Sequence, residues 1–299
     1  MKASVGSFAD VLSERLSERG YLLVVPFVAF EAVFFFGALA YLLRVSLAEP
    51  AALSAFREGT WTLSNYAGIL QDRYLLGRLA YSIRLGAVVT AVTVPLGFVY
   101  AYAAWRSRGL RRVVLLSSVV VALLLSIVIK VYAWVIVLST EGVVNRILTA
   151  TVADGPVSLV GNEFGVVVGL VYSMLPYVVL TIYSVLVTLD ERTLEAARDL
   201  GGGRIRSVYE VVVPGAAPGI IAASVICFSW SAVAYAAPVF LGSPSERTVA
   251  VATGRILIDN FDWARAAALG VTSVAVVLST AAFGLGVYVV WARRGSTSR

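Results

Sequence analysis

The chain has 299 residues, 59% of them hydrophobic and only 14% charged, with a mean hydropathy of +0.87 and a formal charge of +6. That apolar share exceeds the roughly 45–50% of an ordinary soluble domain, which excludes a soluble two-domain protein and indicates an integral membrane protein. Zero histidines exclude a Ser-His-Asp triad, an HExxH zinc site and an imidazole proton relay, and the single Cys227 can form neither an intrachain disulfide nor a metal site by itself.

Residues 1–20 form a polar lead with both signs of charge. They lack the charged, apolar and cleavage-site order of a secretory signal, so the lead is expected to stay attached. A bilayer core of about 30 Å needs about 20 apolar residues per helix, and six stretches meet that length. The first is Tyr21 to Leu47, with Glu31 inside it, and the second is Leu79 to Ala104, with Arg84. Both charges lie toward span ends, which favours snorkelling or ion pairing over a place in a pathway. The turn from Trp105 to Arg112 then carries Arg106, Arg108, Arg111 and Arg112 and no acid, which places it in the cytoplasm.

The third span runs from Val113 to Ser139 and contains Lys130, two and four residues before Tyr132 and Trp134. An ionised lysine at a helix centre costs about 2.5–3.5 kcal/mol on insertion scales. Two readings stand side by side: a pathway or gate residue with Tyr132 and Trp134 nearby, or a lysine that snorkels or pairs structurally. The fourth span, Gly165 to Leu189, sets Tyr172 and Pro176 on one helical face and Ser173 and Tyr177 on another. The fifth, Gly215 to Leu241, carries Trp230, Ser231, Tyr235 and Pro238, with Ser231 and Tyr235 aligned if the helix is continuous. Such faces could line a translocation path for an organic cation or simply pack helices together. The sixth span is Ala266 to Trp291, followed by a short tail at 293–299.

Six spans put both termini on one side, and the arginine distribution makes that side cytoplasmic. Runs of this length exclude a β-barrel, whose strands are about ten residues long. The inside bias accounts for the positive charge, so no nucleic-acid partner is implied. The organisation expected is a cytoplasmic lead (1–20), one six-helix domain (21–292) with a polar loop at 190–214, and a cytoplasmic tail (293–299).

That loop is the most specific feature. Glu195-Ala196-Ala197-Arg198-Asp199-Leu200-Gly201 is followed by Gly202, Gly203, Val211, Val213 and Pro214. The alanines favour helix and let a partner surface approach the backbone closely, and the three glycines permit a turn. A short helix, a turn and a second short helix from about Ile205 to Val213 are expected, ended by Pro214. The pattern of E-A-A, three residues, G, and a proline thirteen residues after the glycine resembles the EAA loop of ABC importer permeases.

Further segments resemble the spermidine/putrescine class of those permeases: Leu138 to Asn145, Gly169 to Pro176, Leu194 to Pro218 and Asn260 to Ala268. The resemblance implies an all-α, type I importer-like permease in a bacterial inner or archaeal plasma membrane. In such permeases the EAA loop docks on the ATPase, which assigns Glu195, Ala196, Ala197, Asp199, Gly201 and Pro214 to coupling. It also implies an ATPase dimer that holds ATP-Mg, a second permease that often makes a heterodimer, and an extracytoplasmic substrate-binding protein. This chain would then bind no cofactor and catalyse nothing, in keeping with its lack of a GxxxxGK[ST] phosphate loop. Polyamine is the leading cargo, another small solute the alternative. An ion-coupled secondary transporter would be expected to show a carboxylate deep in a span, broken helices or an inverted repeat.

Overall fold

A computed structural model describes residues 6–51, 55–151, 155–190 and 203–296. In chain order the helices are α1 (Gly6–Ser46), α2 (Ser64–Gln71), α3 (Arg73–Arg106), α4 (Leu110–Leu124), α5 (Ile127–Leu138), α6 (Val143–Thr151) and α7 (Glu163–Leu186). After the polar loop come α8 (Arg204–Ser207), a π-helical turn (Val208–Val212), α9 (Val213–Ala232), α10 (Ala236–Phe240), α11 (Val249–Ile258) and α12 (Trp263–Ser296). A 3-10 turn at Pro244–Glu246 precedes α11. Among the described residues the β pairing is limited to one bridge, Glu49 with Arg57.

Six stretches are long and apolar enough to cross a membrane: Val25–Ser46, Arg73–Arg106, Ile127–Thr151, Glu163–Leu186, Val208–Ala232 and Trp263–Gly286. The ends of the spans are set by local chemistry. Asp72 caps α3 by accepting from the Tyr74 and Leu75 amides at 2.9 and 3.3 Å, and Asn162 caps α7 through the Gly165 amide at 3.1 Å. Between α3 and α4, Gly109 takes a left-handed φ of +58°, so the arginine-rich turn closes within three residues.

Two spans depart from the sequence expectation. The expected third helix over Val113–Ser139 is interrupted at Leu125 and Ser126, both with extended backbone, and the apolar run long enough to cross is Ile127–Thr151. Neither residue at the break is Gly or Pro, so composition carried no sign of it.

The expected fifth helix ends at Ala232 instead of Leu241, and three residues separate it from α10. Although Pro95 and Pro176 lie inside the unbroken helices α3 and α7, the local chemistry here centres on Pro238. It has no amide hydrogen for the carbonyl of Ala234, four residues earlier, and an unbroken helix would leave that carbonyl unpaired in the membrane. The chain opens instead, and the Thr248 hydroxyl donates to the Ala234 carbonyl at 2.6 Å. Pro238 then sits in the first turn of α10, where an amide hydrogen has no helical partner anyway.

Helices α3, α7 and α9 pack together as the centre of the molecule. Leu85, Val89, Leu170, Met174, Val178, Ile182 and Ala223 are buried among them. Lipid is as apolar as these side chains, so close packing and satisfied polar groups, rather than a hydrophobic driving force, hold the helices. Glycine makes the approach possible. A Cβ on Gly219 would stand 2.9 Å from Val185 Cγ2, one on Gly86 would stand 3.1 Å from the Phe228 carbonyl oxygen, and one on Gly97 would overlap Val178.

A second, smaller core lies at the Arg73 end of α3, where Ile69, Leu75, Val249, Ala252 and Leu269 join α2, α3, α11 and α12. Helix α1 packs along α12 and leaves Phe27, Phe30, Phe34 and Phe36 exposed.

Gly97→Val is expected to destabilise the protein by about 1–3 kcal/mol, because overlap with Val178 forces α3 from α7. Gly37→Val, where an added Cβ meets nothing within 4 Å, is expected to be near neutral. Thermal unfolding of both variants in detergent checks the difference.

Candidate functional site

The aromatic residues singled out from sequence are drawn into ring pairs by the α5–α7–α9 arrangement. Trp134 of α5 meets Tyr172 of α7 edge-on with centroids 5.6 Å apart, and Tyr177 of α7 stacks on Trp230 of α9 at 5.9 Å. Tyr132 contacts Phe240 of α10 at 4.8 Å, so the two broken helices touch through their rings. Phe240 was not anticipated, since only the break turns α10 toward α5. Tyr132 and Trp230 each remain about half exposed. Rings so placed offer π faces to a cation.

The small polar residues behave differently. Ser173 is buried, and its hydroxyl donates to the Gly169 carbonyl of its own helix at 2.7 Å. Ser231 is fully buried, with its carbonyl accepting from the Ala234 amide at 3.3 Å. The expected Ser231–Tyr235 face does not form, because the helix stops at Ala232 and Tyr235 falls in the opened segment. Tyr235 lies instead against α11, where a Cβ on Gly254 would stand 3.1 Å from its Cε2.

Lys130 sits in the first turn of α5, only 5% exposed, with its amide bonded to the Ser126 carbonyl at 3.1 Å. A buried position is not the solvent-reaching one that snorkelling requires. Arg84, by contrast, pairs with Glu163 at the start of α7 at 2.7 Å, the ion-pair alternative. Glu31 is exposed on α1.

Of the coupling residues expected from sequence, Glu195, Ala196, Ala197, Asp199 and Gly201 lie outside the described residues. Pro214 is described, and it does not end a helix. The backbone runs from α8 through the π turn into α9, with Pro214 at the second position of α9. In the π turn the Val213 amide reaches back five residues to the Val208 carbonyl, a register that accommodates a proline where an α-helix would lose a bond. One continuous rod of 20 residues in α9 thus joins this segment to Trp230.

Pro214, Tyr209 and Ala217 also wall an apolar cleft of about 960 Å³ between α3, α9 and α12. None of the ring pairs borders it. Its hydroxyls on Thr90, Ser224 and Thr280 all donate to carbonyls four residues back in their own helices, so its walls present few free polar groups. Among the described residues no three His, Cys, Asp or Glu side chains gather as a metal site requires.

At the Arg73 end, α3 clamps the segment that precedes α11. Arg78 donates to the Ser245 carbonyl at 2.7 Å, and Ser82 Oγ accepts from the Val249 amide at 2.8 Å. Within the clamped segment Ser243 and Glu246 form a capping box, with the Ser243 amide donating to Glu246 Oε2 at 2.8 Å. Burial pushes the Glu246 carboxyl up, but hydrogen bonds from Ser243 and Ser245 outweigh it and hold the group below its ordinary value of 4.5.

Comparison with known proteins adds the following. A family model described as "Binding-protein-dependent transport system inner membrane component" matches residues 93–294. The spermidine/putrescine transport system permease protein PotB of Escherichia coli is 32% identical over 170 residues, which cover 56% of this chain and 62% of that protein. PotB of Haemophilus influenzae is 30% identical over 54% of this chain and 56% of that protein. The match thus spans about three fifths of the length of these curated relatives. The inner membrane ABC transporter permease protein YdcU of Escherichia coli is 27% identical over 75% of each chain. In fold, the chain is similar to a chain of a bacterial ABC transporter involved in the import of the acidic polysaccharide alginate. The TM-score is 0.72 at 15% identity, over 92% of this chain and 97% of that one.

The depressed Glu246 carboxyl contributes stability above its unfolded pKa and loses it as the pH falls through the lower native value. Glu246→Ala is therefore expected to lower stability at neutral pH by about 1 kcal/mol, the size of a lost cap. The gap from the parent protein should close in acid. Unfolding midpoints across pH check both.

Proposed function

We propose that this chain, which belongs to the family of binding-protein-dependent transport system inner membrane components, is the permease subunit of an ATP-driven importer for a small organic cation of the polyamine class. The family match over residues 93–294 carries this reading. The similarity to the two PotB proteins, named for spermidine and putrescine transport, supports the cargo. The ring pairs Trp134–Tyr172 and Tyr177–Trp230 support it chemically, since π faces attract ammonium groups by about 0.5–2 kcal/mol each.

In this reading the path runs beside α5, α7 and α9 and involves Lys130, Tyr132, Trp134, Tyr172, Tyr177, Trp230 and Tyr235, with Ser173 and Ser231 behind the rings. Lys130, buried in the first turn of α5, opposes a polycation and so acts as a barrier to it. Both termini face the cytoplasm, and residues 21–292 form one permease domain between the lead 1–20 and the tail 293–299. The loop 190–214 meets an ATPase dimer that binds and hydrolyses ATP-Mg. A second permease completes the path, and an extracytoplasmic solute-binding protein delivers cargo at the Arg73 end.

The mechanics follow from continuity. Closure of the ATPases moves Glu195, Ala196, Ala197, Asp199 and Gly201, and α8, the π turn and α9 carry that motion as one continuous helical segment from Pro214 to Trp230. The rod ends at the opened segment Val233 to Tyr235, where the helix is already broken and a change of angle costs least. These residues move and bind; the bond-breaking chemistry belongs to the ATPase.

A second reading has one observation in its favour. The breaks at Leu125–Ser126 and Val233–Tyr235 are a feature expected of ion-coupled secondary transporters. Co-purification separates the two. An ATPase subunit captured with the parent chain and lost with Glu195→Arg or Gly201→Trp, while the six-span fold persists, is the expected result. Labelled solute uptake by this chain alone in proteoliposomes would defeat it.

A further inference from the structure

Helix α3 is longer than a bilayer requires. Its 34 residues rise about 50 Å, against a hydrocarbon core of about 30 Å. With the arginine-rich turn at the cytoplasmic interface, about 20 residues reach from Trp105 back to Gly86, and the earlier turns of α3 stand at or beyond the outer interface. Arg84 lies there, level with Glu163 at the start of α7, and the two pair at 2.7 Å.

That pair has a third member. The Arg84 guanidinium also sits over the ring of Tyr81, 5.4 Å from its centroid. One cation is thus held by an aromatic face and a carboxylate together, the partners that recognise an organic cation. The Tyr81 hydroxyl is shut off from solvent and has no hydrogen-bond partner among the described residues. The charges that face it are Glu163, Glu246, Arg84 and Arg78. Arg78 is engaged with the Ser245 carbonyl and Glu246 with the Ser243 amide, which leaves the Arg84–Glu163 pair as the exchangeable part.

A purely structural pair accounts for little of this. The Arg84 side chain is 60% exposed, and ion pairs so open to solvent add little to packing that the α3–α7 glycine contact already secures. A buried hydroxyl without a partner is unfavourable, and an entering donor relieves it. The position also suits a ligand. The Gly161 amide donates to the Leu241 carbonyl at 2.8 Å, which ties the residues before Glu163 to the end of α10, where Phe240 meets Tyr132. The cage therefore stands at the outer end of the aromatic path.

We infer that Tyr81 and Glu163 form an outer site for a primary ammonium group, which Arg84 occupies in the resting chain as an intramolecular stand-in. The cargo's terminal ammonium displaces the guanidinium, lies against the Tyr81 ring and donates to Glu163 and to Tyr81 Oη. An ammonium carries three donors on a thin alkyl stem, so it satisfies two oxygens where the wider guanidinium reaches one. Arg84, once displaced, turns to solvent. This rests on the proposed function, which supplies both the cargo and the orientation.

The test measures binding of labelled spermidine to the assembled importer in phosphatidylcholine nanodiscs, which carry no primary ammonium, with binding protein absent. Arg84→Gln removes the stand-in and is expected to lower the Kd about tenfold, a gain that misfolding cannot mimic. Arg84→Lys keeps a competing cation and should leave the Kd near that of the parent. Glu163→Gln should raise it about tenfold, and Tyr81→Leu should abolish the gain from Arg84→Gln. Arg73→Gln, which removes the same charge elsewhere on α3, should change nothing.

If Arg84→Gln and Glu163→Gln bind spermidine as the parent does, or if neither the parent nor Arg84→Gln binds it, the site is overturned. If Arg84→Gln leaves the spermidine Kd unchanged but retains more phosphatidylethanolamine through purification, the ammonium comes from lipid and the inference fails. Spermidine uptake by the complete importer with its binding protein is read in parallel. Uptake that persists when the site fails leaves the importer reading standing, whereas no uptake of spermidine by the parent overturns the cargo reading and this inference with it.

Discussion

The close approach of α3, α7 and α9 is the contact on which the other elements depend. Glycines at 86, 97 and 219 remove the side chains that would hold the three backbones apart. In lipid this closeness supplies the dispersion contacts that hydrophobic burial supplies in water. Each ring pair of the candidate path uses α7 or an element packed against it. The clamp at the Arg73 end reaches α11 from α3. Moving α3 by one side-chain width would shift both.

A second constraint, the pairing of every backbone polar group in the membrane, shapes the sites where this packing is interrupted. At Ala234 a threonine hydroxyl replaces the amide that Pro238 lacks. At Pro214 the five-residue register of the π turn absorbs a proline that would otherwise stop the helix. The two solutions differ mechanically. The π turn keeps α8 and α9 joined as one continuous helical segment. The opening at Val233 lets the far end bend. One helix is therefore continuous at the polar-loop end and opened beside the ring pairs.

Hydropathy alone made the six spans and the all-helical class legible, because continuous apolar runs leave no other architecture. The ring pairs were half legible. Helical spacing put Tyr172 and Tyr177 on defined faces, but partners such as Phe240 depend on breaks that periodicity does not encode. The break at Leu125–Ser126 has no proline or glycine to announce it. The one at Val233 could have been read from Pro238, four residues after Ala234, and from Thr248 ahead of the apolar run of α11. Pro214 misled for a related reason: the helix it was expected to end passes through a π turn and runs on.

Energised uptake tests the central claim most directly: that this chain is a passive path worked by a separate ATPase. Labelled spermidine would be followed into proteoliposomes that hold the chain with its partner permease and ATPases, with binding protein outside and ATP enclosed. Accumulation that requires enclosed ATP and persists when ion gradients are collapsed is the expected result. Accumulation that needs an ion gradient and proceeds without ATP would contradict it.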